Sequence, residues 1–139
     1  MKRKGHISQT YIKRDRIALP ELYRRAKRLA TYPTSAMNIY RIMATLPTDR
    51  FYISDDAALF YMRKIFFHNI TPTFRTPERR RLYEALRREV DNMMKEEKYQ
   101  ELGLNTTTIL ALMRPAPCVG LSAEAIAKIK WRKHQYTND

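Results

Sequence analysis

Glycine is scarce in this chain: three residues in 139, at positions 5, 103 and 120. So few glycines exclude a glycine-rich phosphate loop. They also argue against sandwich and loop-rich folds, whose turns need residues free to take positive φ. Cysteine is nearly absent too. Cys118 stands alone, so no internal disulfide can form, which fits a reducing, cytoplasmic setting. No run approaches about eighteen apolar residues, so neither a membrane span nor a membrane partner is expected. The basic opening Met1-Lys2-Arg3-Lys4 is not followed by the apolar stretch of a signal peptide. His6, His68 and His134 are far apart and lack Cys, Asp or Glu at ligand spacing. No metal and no cofactor is therefore expected.

Acidic residues are the last shortage: 14 Asp and Glu face 27 Lys and Arg, a formal net charge of +13. A field of that sign concentrates polyanions at the surface and steers their approach. Nucleic acid is the commonest polyanion of this kind and the expected partner, DNA ahead of RNA. An anionic membrane surface ranks next among polyanions in general and an acidic protein third, and of these two only the acidic protein is kept as an alternative. The bland alternative is a solvated basic surface with no polyanion. With 44% hydrophobic and 11% aromatic residues, a chain of this length can bury one real core.

Residues 1–17 read as a basic, partly mobile arm, with Lys2, Arg3, Lys4, Lys13, Arg14 and Arg16 against the single acid Asp15. Ile7, Tyr11, Ile12 and Ile17 are too thinly spread to anchor a long element there. Residues 18–134 read as one helical domain and 135–139 as a C-terminal tail. A first helix is predicted to open at Pro20, which suits a position whose N–H would be unpaired anyway. Leu22, Ala26 and Leu29 form its inner stripe, Arg24, Arg25, Lys27 and Arg28 its outer face, and Tyr32-Pro33 its stop. Thr34 or Ser35 caps a second helix that carries Ala36, Ile39, Tyr40, Met43 and Leu46 inward until Pro47.

A short extended apolar run, Phe51-Tyr52-Ile53, leads to Ser54 as N-cap, with Asp55 and Asp56 in the first turn of a third helix. That helix is expected to bury Ala57, Ala58, Phe60, Tyr61 and Ile65. Thr76-Pro77 opens a fourth helix reaching about Tyr99, with Leu82, Leu86, Val90 and Met93 as its seam. A fifth helix spans Asn105 or Thr106 to about Met113. Ser122 caps the last one, through Lys133. The expected fold is all-α. These signals describe a compact bundle of five to six helices with a short extended segment near 50–53 and a candidate partner for it near 118–121.

Two stretches echo each other at one constant offset: Pro47 and Pro115, Phe51 and Val119, Ile53 and Leu121, Ser54 and Ser122, Asp56 and Glu124, Ala57 and Ala125. In both, proline stops a helix, an apolar run follows, and serine caps a new helix with an acid in its first turn. The echo reads either as a duplicated helix–loop–helix module or as two uses of a common way to restart a helix. The run Pro-Thr-Asp-Arg-Phe-Tyr-Ile-Ser at 47–54, the Arg-Pro-Ala-Pro at 114–117 and the Arg-Thr-Pro-Glu-Arg-Arg-Arg-Leu-Tyr at 75–83 resemble a group of small, basic, uncharacterised bacterial proteins of phage and conjugative-element type. The resemblance covers roughly residues 39–133, supports the helical architecture and implies no activity and no site. The second copy departs from the first at Cys118 and Gly120, where the first has Arg50 and Tyr52.

No set of residues converges on a reaction, so a binding protein rather than an enzyme is expected. Adjacent helix positions point about 100° apart, so Asp55 and Asp56 serve the helix start better than a metal. Cys118 lies in an apolar run and reads as a buried structural thiol. Residues 106–133 resemble a helix-turn-helix only loosely, because the connection is longer than the usual three to four residues. The basic clusters are sharper. Arg79, Arg80 and Arg81 sit in the first turns of the fourth helix, where positive charge opposes the dipole, and Arg87 and Arg88 follow. Lys128 and Arg132 share a face of the last helix, and Trp131, which falls with Ala123 and Ala127, either stacks on a base or packs on a neighbouring helix or a second subunit. The candidate nucleic-acid contacts are thus Lys2, Arg3, Lys4, Lys13, Arg14, Arg16, Arg24, Arg25, Arg28, Arg79, Arg80, Arg81, Lys128 and Arg132. The expected function is a sequence-tolerant nucleic-acid-binding accessory protein. The alternative is an interaction or assembly module for an acidic protein or a second copy of the chain.

Overall fold

A computed structural model describes residues 8–31 and 34–129. Among these the fold is all-α, and a single antiparallel bridge is its one sheet-like contact. Helix α1 covers residues 9–29 as an α-helical turn Gln9–Lys13, a π-helical turn Arg14–Ala18 and the α-helix Leu19–Leu29. The others are α2 (Ala36–Thr45), α3 (Asp55–His68), α4 (Pro77–Met93), α5 (Glu97–Leu102), α6 (Leu104–Ala111) and α7 (Ala123–Lys128).

Pro20 stands in the opening turn of the α-helical segment Leu19–Leu29, as its chemistry suggested, but helical backbone already precedes it from Gln9. Proline has no N–H for the preceding turn, and its ring crowds the carbonyl four residues back. The π turn just ahead of it resolves the conflict by widening the coil, and the Leu19 N–H donates to the Arg14 carbonyl five residues back. The helix therefore begins at Gln9, and the expected arm boundary at residue 17 falls within it. Tyr11 ties this early stretch to the body: its hydroxyl accepts from the Ser54 N–H at 3.2 Å. Lys2, Arg3, Lys4, Tyr32-Pro33, Trp131, Arg132, Lys133 and the tail 135–139 lie outside the described residues.

The echo extends through the described chain. Ser8 and Thr76 stand at the same offset as Pro47 and Pro115, and both are N-caps, each accepting a backbone N–H at 3.2 Å. Gln9 and Pro77 start α1 and α4, Ala36 and Leu104 start α2 and α6, and Asp55 and Ala123 start α3 and α7, all at that offset. The buried positions repeat with it: Ala18 with Leu86, Leu22 with Val90, Ile39 with Thr107, Met43 with Ala111, Ala44 with Leu112, Ala58 with Ile126. Helix α5 occupies the connection between α4 and α6.

The two copies exchange their third helices. Helix α2 packs on α1 and on α7, while α6 packs on α4 and on α3. One core accordingly joins Leu22, Ala26, Tyr40 and Met43 to Val119, Leu121 and Ile126. The other joins Leu86, Val90, Met93 and Leu112 to Phe51, Ile53, Ala58 and Met62. The extended run alternates between them, Phe51 and Ile53 entering one core and Tyr52 the other, as the two-residue period of extended backbone dictates. Phe51 is 1% exposed, and truncating such a side chain to alanine costs roughly 3–5 kcal/mol. The sheet-like contact falls earlier than the expected 50–53 and 118–121: Thr48 pairs with Ala116.

Several expectations are corrected. Helix α4 stops at Met93, and Tyr99 belongs to α5; the break turns Tyr99 back onto the second core, where its hydroxyl accepts from Arg114 at 3.1 Å. Helix α7 ends at Lys128, where the Ile129 backbone turns extended. Ala36 and Leu29 are exposed because each sits at a helix end. Phe60, expected inside, is 64% exposed. The inner stripe of α3 is made by Ala58, Tyr61 and Met62, and Phe60 lies about 200° around the helix from Ala58.

Candidate nucleic-acid interface

The start of α4 is built for a sharp entry. Thr76 caps it, Pro77 takes the first position, and Glu78 is the one acid of the first turn. Arg79, Arg80 and Arg81 follow, all exposed. None forms an ion pair with a described carboxylate. Consecutive helix positions diverge by about 100°, so the three do not converge. Arg79 faces the body. Its guanidinium lies 5.9 Å from the centre of the Tyr83 ring, and Tyr83 stacks on Phe74 at 4.9 Å and meets Tyr61 edge-on at 4.9 Å. Burial pushes the Tyr83 hydroxyl above its ordinary range and the neighbouring Tyr11 adds to this, while the Arg79 cation pulls it down.

Three surface grooves meet at Arg79. The largest, about 480 Å³, runs between the 73–76 loop and the start of α7 and is also lined by Arg75 and Ser122. A second, about 270 Å³, lies between α3 and α4 and is lined by Phe60, Lys64, Ile70 and Phe74. A small cleft between them and α1 holds Tyr11 and Arg14. No carboxylate lines any of the three. Lys64 places its ammonium 4.8 Å over the Phe60 ring. A groove of this composition can hold an anion on the guanidinium forks and a planar group on the aromatic faces.

The other expected contacts divide by how much of their charge is already used. Arg14 is paired with Asp15 at 2.9 Å and stacks over Tyr11 at 4.9 Å. Arg24 is paired with Glu21 at 2.7 Å, and that hydrogen bond is the main reason the Glu21 carboxyl lies below its ordinary range. Arg25 donates to the Pro47 carbonyl at 3.0 Å and lines a separate cavity that also contains Glu21 and Asp49. Lys13, Arg16, Arg28 and Lys128 are exposed with no ion pair to a described carboxylate. The structure thus brings Arg14 to Arg79, leaves Arg24 and Arg25 partly neutralised elsewhere, and adds two cations that the sequence reading did not single out, Lys64 and Arg75. The signal for Lys64 was its position in α3, outside the buried stripe and four residues after an exposed phenylalanine. Arg75 sits in a loop and gave no periodic signal.

Among the described residues no helix is long and apolar enough to cross a membrane, and no group of three or more His, Cys, Asp or Glu side chains is placed to hold a metal ion. Comparison with protein-family models, with curated proteins and with solved structures finds no match for this chain.

Proposed function

We propose that this chain binds nucleic acid by gripping the phosphate backbone with low sequence specificity, DNA ahead of RNA. The observation that carries the reading is the set of acid-free grooves around Arg79, bordered by Lys64 and Arg75 in a chain that has 14 carboxylate side chains to place elsewhere. Cations without a described carboxylate partner are available to neutralise phosphates, and each phosphate neutralised releases counterions. An accessory role in a phage or mobile element belongs to the same proposal and rests on the resemblance alone.

A salt titration tests it. With about five to eight phosphate contacts, log K for duplex DNA falls against log salt with a slope of roughly −4 to −7. A flat dependence, or no binding near about 50 mM salt, sinks the reading. The rival is an assembly module for an acidic protein or a second copy, favoured by the exposed apolar side chains Phe60, Phe66, Phe67 and Ile70. A monodisperse oligomer that purifies free of nucleic acid selects the rival.

A further inference from the structure

We propose that the grooves meeting at Arg79 form a trough for single-stranded nucleic acid, in which unpaired bases stack on the outward aromatics of α3. The inference rests on the nucleic-acid reading above and narrows it from polyanions in general to unpaired strands.

The core does not require the aromatics of the outer face. Ala58, Tyr61 and Met62 are buried, whereas Phe60 and Phe67 are 64% and 68% exposed. Seven residues apart, these two lie within about 20° of each other around the helix and about 10.5 Å apart along it. They therefore form one stripe. Cations flank it: Lys64 sits over Phe60, and Arg63 is held by Asn105 at 3.3 Å. The groove beside the stripe runs past Phe74 to Arg79, then continues to Arg75. Exposed aromatic faces interleaved with unopposed cations are the two ingredients of a sequence-tolerant single-strand site, since every base has a π-face and every nucleotide a phosphate.

Charge complementarity identifies the occupant as an anion, because the linings contain Lys64, Arg75 and Arg79 and no acid. The aromatics distinguish the strand type. In a duplex the base faces are already stacked on one another, so a duplex gains from the cations alone. The internal repeat supports the same choice. The cores of the two copies correspond, but the trough does not: the second copy has Lys128 where the first has Phe60, and the first has Tyr11 where the second has Arg79. Among the described residues the trough has no repeat-related counterpart, and a single trough suits one strand better than the two-fold faces of a duplex.

The test measures the full chain against a thymidine oligomer, which forms no duplex, and against a DNA duplex of the same length, at one salt concentration. Phe60→Ala and Phe67→Ala are each expected to weaken oligomer binding about five- to tenfold, while duplex binding changes less than about twofold. Phe60→Trp is expected to restore oligomer binding and to show fluorescence quenching beyond that of the native Trp131. Both positions are exposed, so melting should stay close to the wild type; Phe60→Leu, which keeps the apolar volume and removes the ring, serves if the alanine variant unfolds. Equal losses on both nucleic acids, or none on either with wild-type binding intact, overturn the trough and leave the phosphate-binding reading standing. Failure of the wild type to bind either removes both. If the alanine variants instead abolish self-association or binding of a polyglutamate probe, the trough is a protein-docking groove and the inference is wrong.

Discussion

Thr48 and Ala116, equivalent positions of the two copies, bond to each other reciprocally: each N–H donates to the other's carbonyl, both at 3.0 Å. Equivalent positions that pair antiparallel in this way lie on a local two-fold axis. Around it α3 and α7 cross to the opposite copy. Each copy is therefore unable to cover its own core.

The first expectation follows from that exchange. A fragment of residues 1–70 lacks α7, one of the two helices that α2 packs on, and its own α3 lacks α6. Two such fragments can supply each other. Light scattering after gel filtration should show a dimer with helical circular dichroism, and dilution should unfold it. A folded monomer at low concentration would show that the exchange is unnecessary for stability.

Gly120 is the second test. Its φ is +83°, and a Cβ there would come within 2.5 Å of the Leu82 side chain, which is itself buried. The first copy has Tyr52 at this place, so glycine stands only where the loop presses against α4. Gly120→Ala should destabilise the fold by about 1–3 kcal/mol through backbone strain and overpacking together. Chemical denaturation measures it; Gly103→Ala, also at positive φ but in open space, should cost less.

Cys118 makes stability fall on the alkaline side. Burial pushes its thiol up, with the Gly120 N–H and Arg81 opposing, and its Sγ donates to the Glu78 carbonyl at 3.6 Å. The unfolded chain ionises first, from about 8.5, so the unfolded state binds fewer protons than the native one there and unfolding becomes easier as pH rises. Tyr52, Tyr61 and Tyr83, all raised mainly by burial, extend the decline beyond about pH 10. Urea midpoints between about pH 7.5 and 9.5 should drop for the wild type and drop less for Cys118→Ala, whatever its lower starting stability. A steeper decline in the variant would count against this origin.

The helical class was legible because each copy carries a capped start and an apolar stripe: Ser54 and Ser122 cap as expected, and Leu82, Leu86, Val90 and Met93 are all buried. What was missed has two causes. Local rules read Pro20 as the start of the whole helix, since a π turn that shelters an internal proline leaves no compositional mark. The extension of the repeat to residues 8 and 76 was hidden because residue type diverged at inward as well as outward positions: half-buried Tyr11 matches exposed Arg79, and half-buried Arg14 matches buried Leu82. At the candidate site the Arg79–Arg81 cluster was visible as a run. Its partners Phe60 and Lys64 come from α3, which only the packing against the second core brings beside it, and Arg75 comes from the loop just ahead of α4, where no periodicity marks it.

That cluster gives the last test. Arg79, Arg80 and Arg81 stand at the positive end of α4, where each costs a few tenths of a kcal/mol or more against the dipole, and no described carboxylate pairs with them. Replacing all three by Gln should therefore leave stability unchanged or raise it slightly, while nucleic-acid affinity falls by about 1–3 kcal/mol at moderate salt. The single variants separate their shares. Arg79→Gln should carry the largest loss, because Arg79 alone of the three lines the grooves; Arg80→Gln and Arg81→Gln remove only long-range attraction and should flatten the salt slope less. Melting curves and binding titrations on the same preparations decide it. Stability kept with affinity lost assigns the cluster to an external anion. A marked loss of stability places it instead in the internal support of Tyr83 and the second core.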